Sequence, residues 1–260
     1  MPGRVHVKTQ GAIGWLVFDH PERHNALSPE MWSALAAGVR RHADDPEVRV
    51  VVMRGAGESA FVSGADISTF DRGDGSATGA SLRVHGGNAF AELARIDKPV
   101  IAMIHGYCIG GGLAVALSAD LRYAAADARF AIPAARLGVG YDIGGIAALE
   151  AVVGPSRCKE ILFTASRYSA REAFAMGLID RVLAKAELES FVRAQADRIA
   201  SNAPLTVRSV KVVSRELRRP PEERDAAAIR KSIAACFESE DFGEGVRAFM
   251  EKRAPIFKGR

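Results

Sequence analysis

Two glycine-rich turns hold the clearest chemical potential in the sequence. The first is HGYCIGGGLAVALSAD, residues 105–120, which follows the apolar stretch PVIAMI and runs into an apolar helical stretch. Strand, glycine turn and helix start is the arrangement that leaves backbone N–H groups unpaired and aimed at an anion. It lacks the Gly-Lys-Ser/Thr of a phosphate loop and the GxGxxG spacing of a dinucleotide fingerprint. A tight turn that only lets a helix pack closely on a strand fits the same residues. The second is FVSGADI, residues 61–67, with a small-Gly-small step after another apolar strand. Two such turns at neighbouring strand ends could aim two N–H groups at one oxygen, which would make an oxyanion hole. A single donor of that type contributes about 3–4 kcal/mol to a transition state.

The elements that must position these turns are legible from periodicity. Residues 12–19 (AIGWLVFD), 48–54 (VRVVVMR) and 99–104 (PVIAMI) read as buried strands. Ser28 and Pro29 read as an N-cap and first turn, with Met31, Leu35 and Val39 on one helical face. Helical stretches at 30–42, 80–95 and 111–119 alternate with the strands, which predicts an α/β fold with crossover units. Residues 71–79 read as a flexible surface loop. Ser169 and Glu172 form a capping-box pattern opening a short helix that ends near Gly177. Beyond about residue 185 only helical stretches follow, at 186–201, 205–218, 222–238 and 242–252. The expected organisation is a core over residues 1–200 and a helical C-terminal segment over 201–260.

Composition narrows the function classes. The chain has 260 residues, 48% hydrophobic and 25% charged, which excludes a disordered or fibrous chain. Three cysteines (Cys108, Cys158, Cys236) form no CxxC pair, which argues against a disulfide framework or structural zinc. No apolar run approaches the ~18 residues of a membrane span, and MPGRVHVKTQ has no signal-peptide character, so a cytoplasmic protein is expected. The net charge of +4 is mild and fits a solvated surface, or a basic rim for a coenzyme phosphate, rather than a nucleic-acid patch.

FVSGADI, KPVIAMIHGYCIGGGLAVALSADLRYAA, LGVGYDIGG and the closing AFMEKRAPIFKG together resemble the crotonase, or enoyl-CoA hydratase/isomerase, superfamily over nearly the whole chain. The resemblance implies a ClpP/crotonase spiral of ββα units with a helical C-terminal trimerisation segment, and a homotrimer or a hexamer built from two trimers. It implies an acyl-CoA thioester substrate and no separate cofactor, coenzyme A arriving as part of the substrate, with no metal, no nucleic acid and no membrane partner. By motif position the thioester oxygen would sit between the N–H groups of Ala65 and Gly111. The coenzyme would lie along Arg23, Asn25, Ala26 and Ala65–Asp66–Ile67, with Phe249 and Lys252 supplied by a neighbouring subunit.

The chain departs from the family where hydratases carry their two water-activating glutamates. Those positions are Ala114, in GGGLA, and Ala134, in RFAIPAARLG. Water addition needs a positioned acid and base within hydrogen-bond reach, and alanine supplies neither. Asp142, in LGVGYDIGG, matches an acid/base or nucleophile position of other branches, or else caps the helix starting near Ile143. Tyr141 matches a functional tyrosine of methylmalonyl-CoA decarboxylase, a branch with a histidine where this chain has Ala65, or is a packed aromatic. His105 reads as a histidine satisfied by backbone, Cys108 as a small buried residue, Asp66 as structural, and Asp120 as a helix-to-strand boundary. Isomerisation or decarboxylation through an enolate is therefore expected ahead of two-glutamate hydration. A non-catalytic acyl-CoA-binding protein, a conventional hydratase and, least favoured, a ClpP-type peptidase remain as alternatives.

Overall fold

The computed structural model describes residues 2–65 and 78–260, the side chains of 78–85 excepted. The expected loop at 71–79 falls almost wholly outside the described residues. Strands β1 (Arg4–Gln10) and β2 (Ile13–Asp19) form an antiparallel hairpin. Its two-residue turn starts at Gly11, whose φ of +56° suits a glycine. β1 escapes the sequence reading above, although Val5, Val7 and Thr9 alternate with polar residues at the period of a strand.

β2 continues in parallel with β3 (Val50–Gly55), β5 (Val100–Ile104), β7 (Leu121–Ala125) and β10 (Arg181–Leu183), giving a six-stranded sheet in the order β1-β2-β3-β5-β7-β10. A second sheet, in the order β4-β6-β8-β9, contains β4 (Ala60–Val62), β6 (Tyr107–Ile109), β8 (Arg129–Ala131) and β9 (Tyr168–Ser169). β3, β5 and β7 are each followed directly by a strand of the second sheet. Helices α2 (Thr78–Arg95), α3 (Gly111–Leu117) and α4 (Ala134–Leu137) come after those second strands, so the chain climbs as stacked ββα turns.

The strands are continuously apolar because both faces of the large sheet are covered. Leu16, Phe18, Val51, Met53, Ala102 and Ile104 point into the main core with Met31, Leu35 and Val39 of α1 (Pro29–Asp44). The alternate residues Trp15, Val50, Val52, Ile101 and Met103 meet Leu188, Val192 and Ala196 of α7 (Lys185–Ala200). This is the burial that a parallel sheet demands of its sequence.

The local stop and start signals work as the residue types require. The Ser28 hydroxyl accepts the Met31 N–H at 3.3 Å, opening α1. Ser169 and Glu172 close a reciprocal capping box on α6 (Ala170–Ala175). α5 (Ile143–Thr164) kinks at Gly154-Pro155, where proline cannot donate an N–H. After α7 the chain continues as α8 (Pro204–Leu217), α9 (Ala226–Phe237) and α10 (Glu240–Glu251). The tail beyond α10 is tied down: the Asp241 carboxylate accepts the N–H groups of Lys258 and Gly259, and Arg49 donates to the carbonyls of Ala200 and Phe257. No helix among the described residues is long and apolar enough to cross a membrane.

Candidate active site

The glycine turn is built by close backbone approach. Gly106, at φ +56°, lies against the Ser59 carbonyl, and a side chain there would overlap it. Gly110, at φ +53°, donates its N–H to the Ala131 carbonyl at 2.8 Å and redirects the chain from β6 into α3. At Gly112 a Cβ would overlap the Val62 carbonyl, so α3 can sit on β4 only through glycine. Gly112→Ala is expected to cost about 1–3 kcal/mol by overpacking. Thermal melts should show this as a Tm drop of roughly 3–10 °C; an unchanged Tm would mean that the helix is free to shift.

The second turn arrives from β4 through Ser63, Gly64 and Ala65. The Leu27 N–H donates to the Gly64 carbonyl at 2.8 Å, the Ser63 N–H to the His24 carbonyl at 3.1 Å, and the Ser63 hydroxyl to the Arg23 carbonyl at 3.0 Å. These bonds staple the 23–27 turn alongside Ala65. Asn25 holds that turn from within: it is buried, its Oδ1 accepts the His20 N–H, and its Nδ2 donates to the carbonyls of Ala56 and Ala60. Its amide is thus committed to protein, whereas Arg23 is exposed on the rim and Ala26 is buried behind it.

The two turns meet. A Cβ on Gly111 would lie 3.6 Å from the Ala65 nitrogen. Among the described residues neither the Ala65 N–H nor the Gly111 N–H is given to a protein carbonyl. Gly111 opens α3, where an unpaired N–H is the geometric rule. The arrangement can present two amide donors to a single oxygen atom.

Ala114 lies on α3 and Ala134 opens α4. The Ala114 N–H donates to the Gly110 carbonyl one helical turn on, at 3.1 Å. Ala134 is buried and follows Pro133, whose ring lies 3.9 Å from the Cβ direction of Gly110. Neither position places a carboxyl group at the turn.

α5 packs against α3, and Asp142 caps α5. Asp142 is exposed and its Oδ1 accepts the Gly145 N–H at 2.7 Å, so the capping alternative is realised in the chain. Tyr141 packs against the main core. Burial, with the Asp142 charge beside it, pushes its phenol up to about 12. It therefore keeps its proton near neutral pH and can donate a hydrogen bond.

Other residues are placed as follows. His105 is buried, but its Nε2 has no partner among the described residues, which corrects the reading of a satisfied histidine. Cys108 is fully buried and burial pushes its thiol up, away from thiolate chemistry. Asp120 stands at the start of β7, accepting the Val100 N–H and pairing with Lys211. Asp66 and Ile67 lie outside the described residues. Phe249 and Lys252 sit at the end of α10, which packs on α9, and Phe249 is 82% exposed.

One neighbour of the site was missed in the sequence. Trp32, on α1, brings its Cζ2 to 3.6 Å from the Cβ direction of Gly111. The apolar face of α1 hides it among core residues, and no local pattern distinguishes it from Met31 or Leu35.

Comparison with known proteins agrees with this architecture. The enoyl-CoA hydratase/isomerase family pattern matches residues 8–260. The carnitinyl-CoA dehydratase of Salmonella typhi is 35% identical over 264 residues, with all of each chain covered. The crystal structure of an enoyl-CoA hydratase/carnithine racemase from Magnetospirillum magneticum superposes with a TM-score of 0.92 at 32% identity, covering 98% of this chain and 96% of that one. The enoyl-CoA hydratase of Bacillus anthracis gives 0.90 at 28% identity, covering 99% and 100%. Spiral fold, glycine turns and full-length similarity together show that the chain belongs to the enoyl-CoA hydratase/isomerase family, the crotonase superfamily.

Proposed function

We propose that the protein binds an acyl-CoA thioester and stabilises its enolate between the N–H groups of Ala65 and Gly111, with proton transfer as the chemistry. The observation that carries this is the meeting of two amides that no carbonyl among the described residues takes, in a chain with alanine at 114 and 134. Loss of a proton or of carbon dioxide from the α-carbon moves charge onto the thioester oxygen, which is where fixed donors act most strongly. Alanine at 114 and 134 offers no carboxylate to position water at those two places, so isomerisation or decarboxylation is favoured over two-glutamate hydration. Asp142 serves as the acid/base, through the oxygen not committed to Gly145, and Tyr141 as a hydrogen-bond donor.

The coenzyme is read as lying on the Arg23–Ala26 turn and Ala65–Ile67, with Phe249 and Lys252 contributed by a neighbouring copy in a trimer or hexamer. An apolar groove of about 590 Å³, lined by Val210, Ile233, Phe237, Phe242, Val246 and Phe249, supports association of the helical segment. Leu137, Val139 and Ile143 beside Asp142 are also exposed, and a neighbouring copy would desolvate that carboxylate.

The test is incubation with crotonyl-, dienoyl-, methylmalonyl- and ethylmalonyl-CoA, with products and deuterium uptake at the α-carbon from D₂O read by mass spectrometry. α-Deuteration or decarboxylation is the expected outcome. Rapid hydration of crotonyl-CoA would overturn the mechanism, and no exchange with any thioester would favour a non-catalytic binder. The full-length similarity to a carnitinyl-CoA dehydratase supports a second reading, elimination of water from a hydroxyacyl-CoA. In the reaction that turns over, Asp142→Asn is expected to lower kcat about a hundredfold, the ordinary reach of a general acid/base. Unchanged turnover would leave Asp142 a helix cap only.

A further inference from the structure

Four buried side-chain nitrogens among the described residues have no hydrogen-bond partner: Trp15 Nε1, Trp32 Nε1, His42 Nδ1 and His105 Nε2. Buried polar groups are almost always paired, so each asks for an explanation. Trp15 lies on the far face of the large sheet, packed towards α7 and under Arg193. His42 still makes one bond, to the Trp15 carbonyl. His105 sits among Arg54, Lys185, Asp127 and Glu58. Trp32 differs from these because it adjoins the two amides.

Trp32 is 3% exposed, and its ring is held tilted against Phe90 of α2, with centroids 5.4 Å apart. Its Cζ2 lies 3.6 Å from the Cβ direction of Gly111, the same point from which the Ala65 nitrogen is 3.6 Å away. In an indole, Cζ2 and Nε1 are both bonded to Cε2. The N–H therefore leaves the ring from the edge that Cζ2 brings to Gly111. An indole N–H can only donate.

We infer that Trp32 is a specificity-determining residue whose indole N–H donates to an oxygen carried on the acyl chain, selecting oxygen-bearing acyl-CoA thioesters over plain alkyl ones. The inference rests on the proposed binding of acyl-CoA at Ala65 and Gly111. With an alkyl acyl group the N–H stays buried and unpaired. With a hydroxyl, carbonyl or carboxylate oxygen in reach it is satisfied, and the desolvation already suffered in the free protein is recovered. Trp32→Phe keeps an aromatic ring against Phe90 and removes the donor.

The experiment measures Kd for butyryl-CoA and 3-hydroxybutyryl-CoA by calorimetry, on the intact protein and on Trp32→Phe. The intact protein is expected to favour 3-hydroxybutyryl-CoA by about three- to tenfold, the worth of one neutral hydrogen bond. The preference should fall to about one in the variant. A ratio is used because a general loosening of the pocket would weaken both ligands together. A preference that survives in Trp32→Phe overturns the inference, as does equal binding of both thioesters to the intact protein, which would leave the acyl-CoA reading standing. Failure of both thioesters to bind overturns this inference and the acyl-CoA reading together. If the variant does not fold, tryptophan emission of the intact protein decides, since Trp15 lies across the sheet. A shift with 3-hydroxybutyryl-CoA and none with butyryl-CoA supports the donor role, and identical spectra overturn it.

Discussion

Gly111→Pro is expected to lower turnover about 10²–10³-fold, the usual consequence of losing one oxyanion donor. The substitution isolates that donor. Gly111 is the first residue of α3, the helical position where proline is best tolerated because its N–H is unpaired in any case. A Cβ there meets Ala65 N and Trp32 Cζ2 at 3.6 Å, ordinary contact distances. The preceding Gly110 (φ 53°, ψ −117°) has no Cβ to collide with the proline ring. Circular dichroism and Tm should therefore stay near those of the parent while product formation and α-deuteration collapse. Full activity in Gly111→Pro would remove Gly111 from the mechanism. By contrast, Gly112→Ala, one residue on, should damage stability first, because it strikes the Val62 carbonyl.

Acid should destabilise the protein through His105. Burial is the largest cause of its shift, and Arg54 and Lys185 add to it against Asp127 and Glu58, lowering the imidazole from 6.5 to about 4. The group is 4% exposed, so solvent screens this little. Because the folded value lies below the unfolded one, the unfolded chain takes up a proton first as pH falls. The contribution is complete above about pH 6.5, is lost progressively down to about pH 4, and levels off below that. Integrated over the window it amounts to about 3 kcal/mol. Burial also lowers the imidazole of His42, which adds to the slope in the same direction. Urea midpoints at pH 7.5, 5.5 and 4.5 give the slope, and His105→Asn should flatten it by up to one proton. Equal slopes in the two proteins would show that His105 is hydrated or charged in the folded state.

Much of the fold could be read locally. The strands at 13–19, 50–55 and 100–104 were anticipated because a parallel strand covered on both faces is apolar throughout, and no partner need be known to see that. The caps at Ser28 and Ser169 were anticipated, and a cap was the alternative reading of Asp142, because capping is a bond within four residues. The short strands β6, β8, β9 and β10 were not found. Two or three residues carry no usable period, and their pairing is set by chains far off in sequence.

The candidate site divides in the same way. The sequence alone determined the glycine turns and the absence of carboxylates at Ala114 and Ala134, because a missing functional group needs no coordinates to establish. Only the tertiary structure decided that Ala65 and Gly111 meet, that the Asn25 amide is spent on the turn, and that Asp142 is exposed while capping α5. It also left Trp32 and His105 with buried nitrogens that have no partner among the described residues. Caps and apolar periods are set by neighbours a few positions away, and so are written in the residues themselves. Which N–H remains unpaired depends on every group packed around it, and those groups come together only when the sheets and helices close.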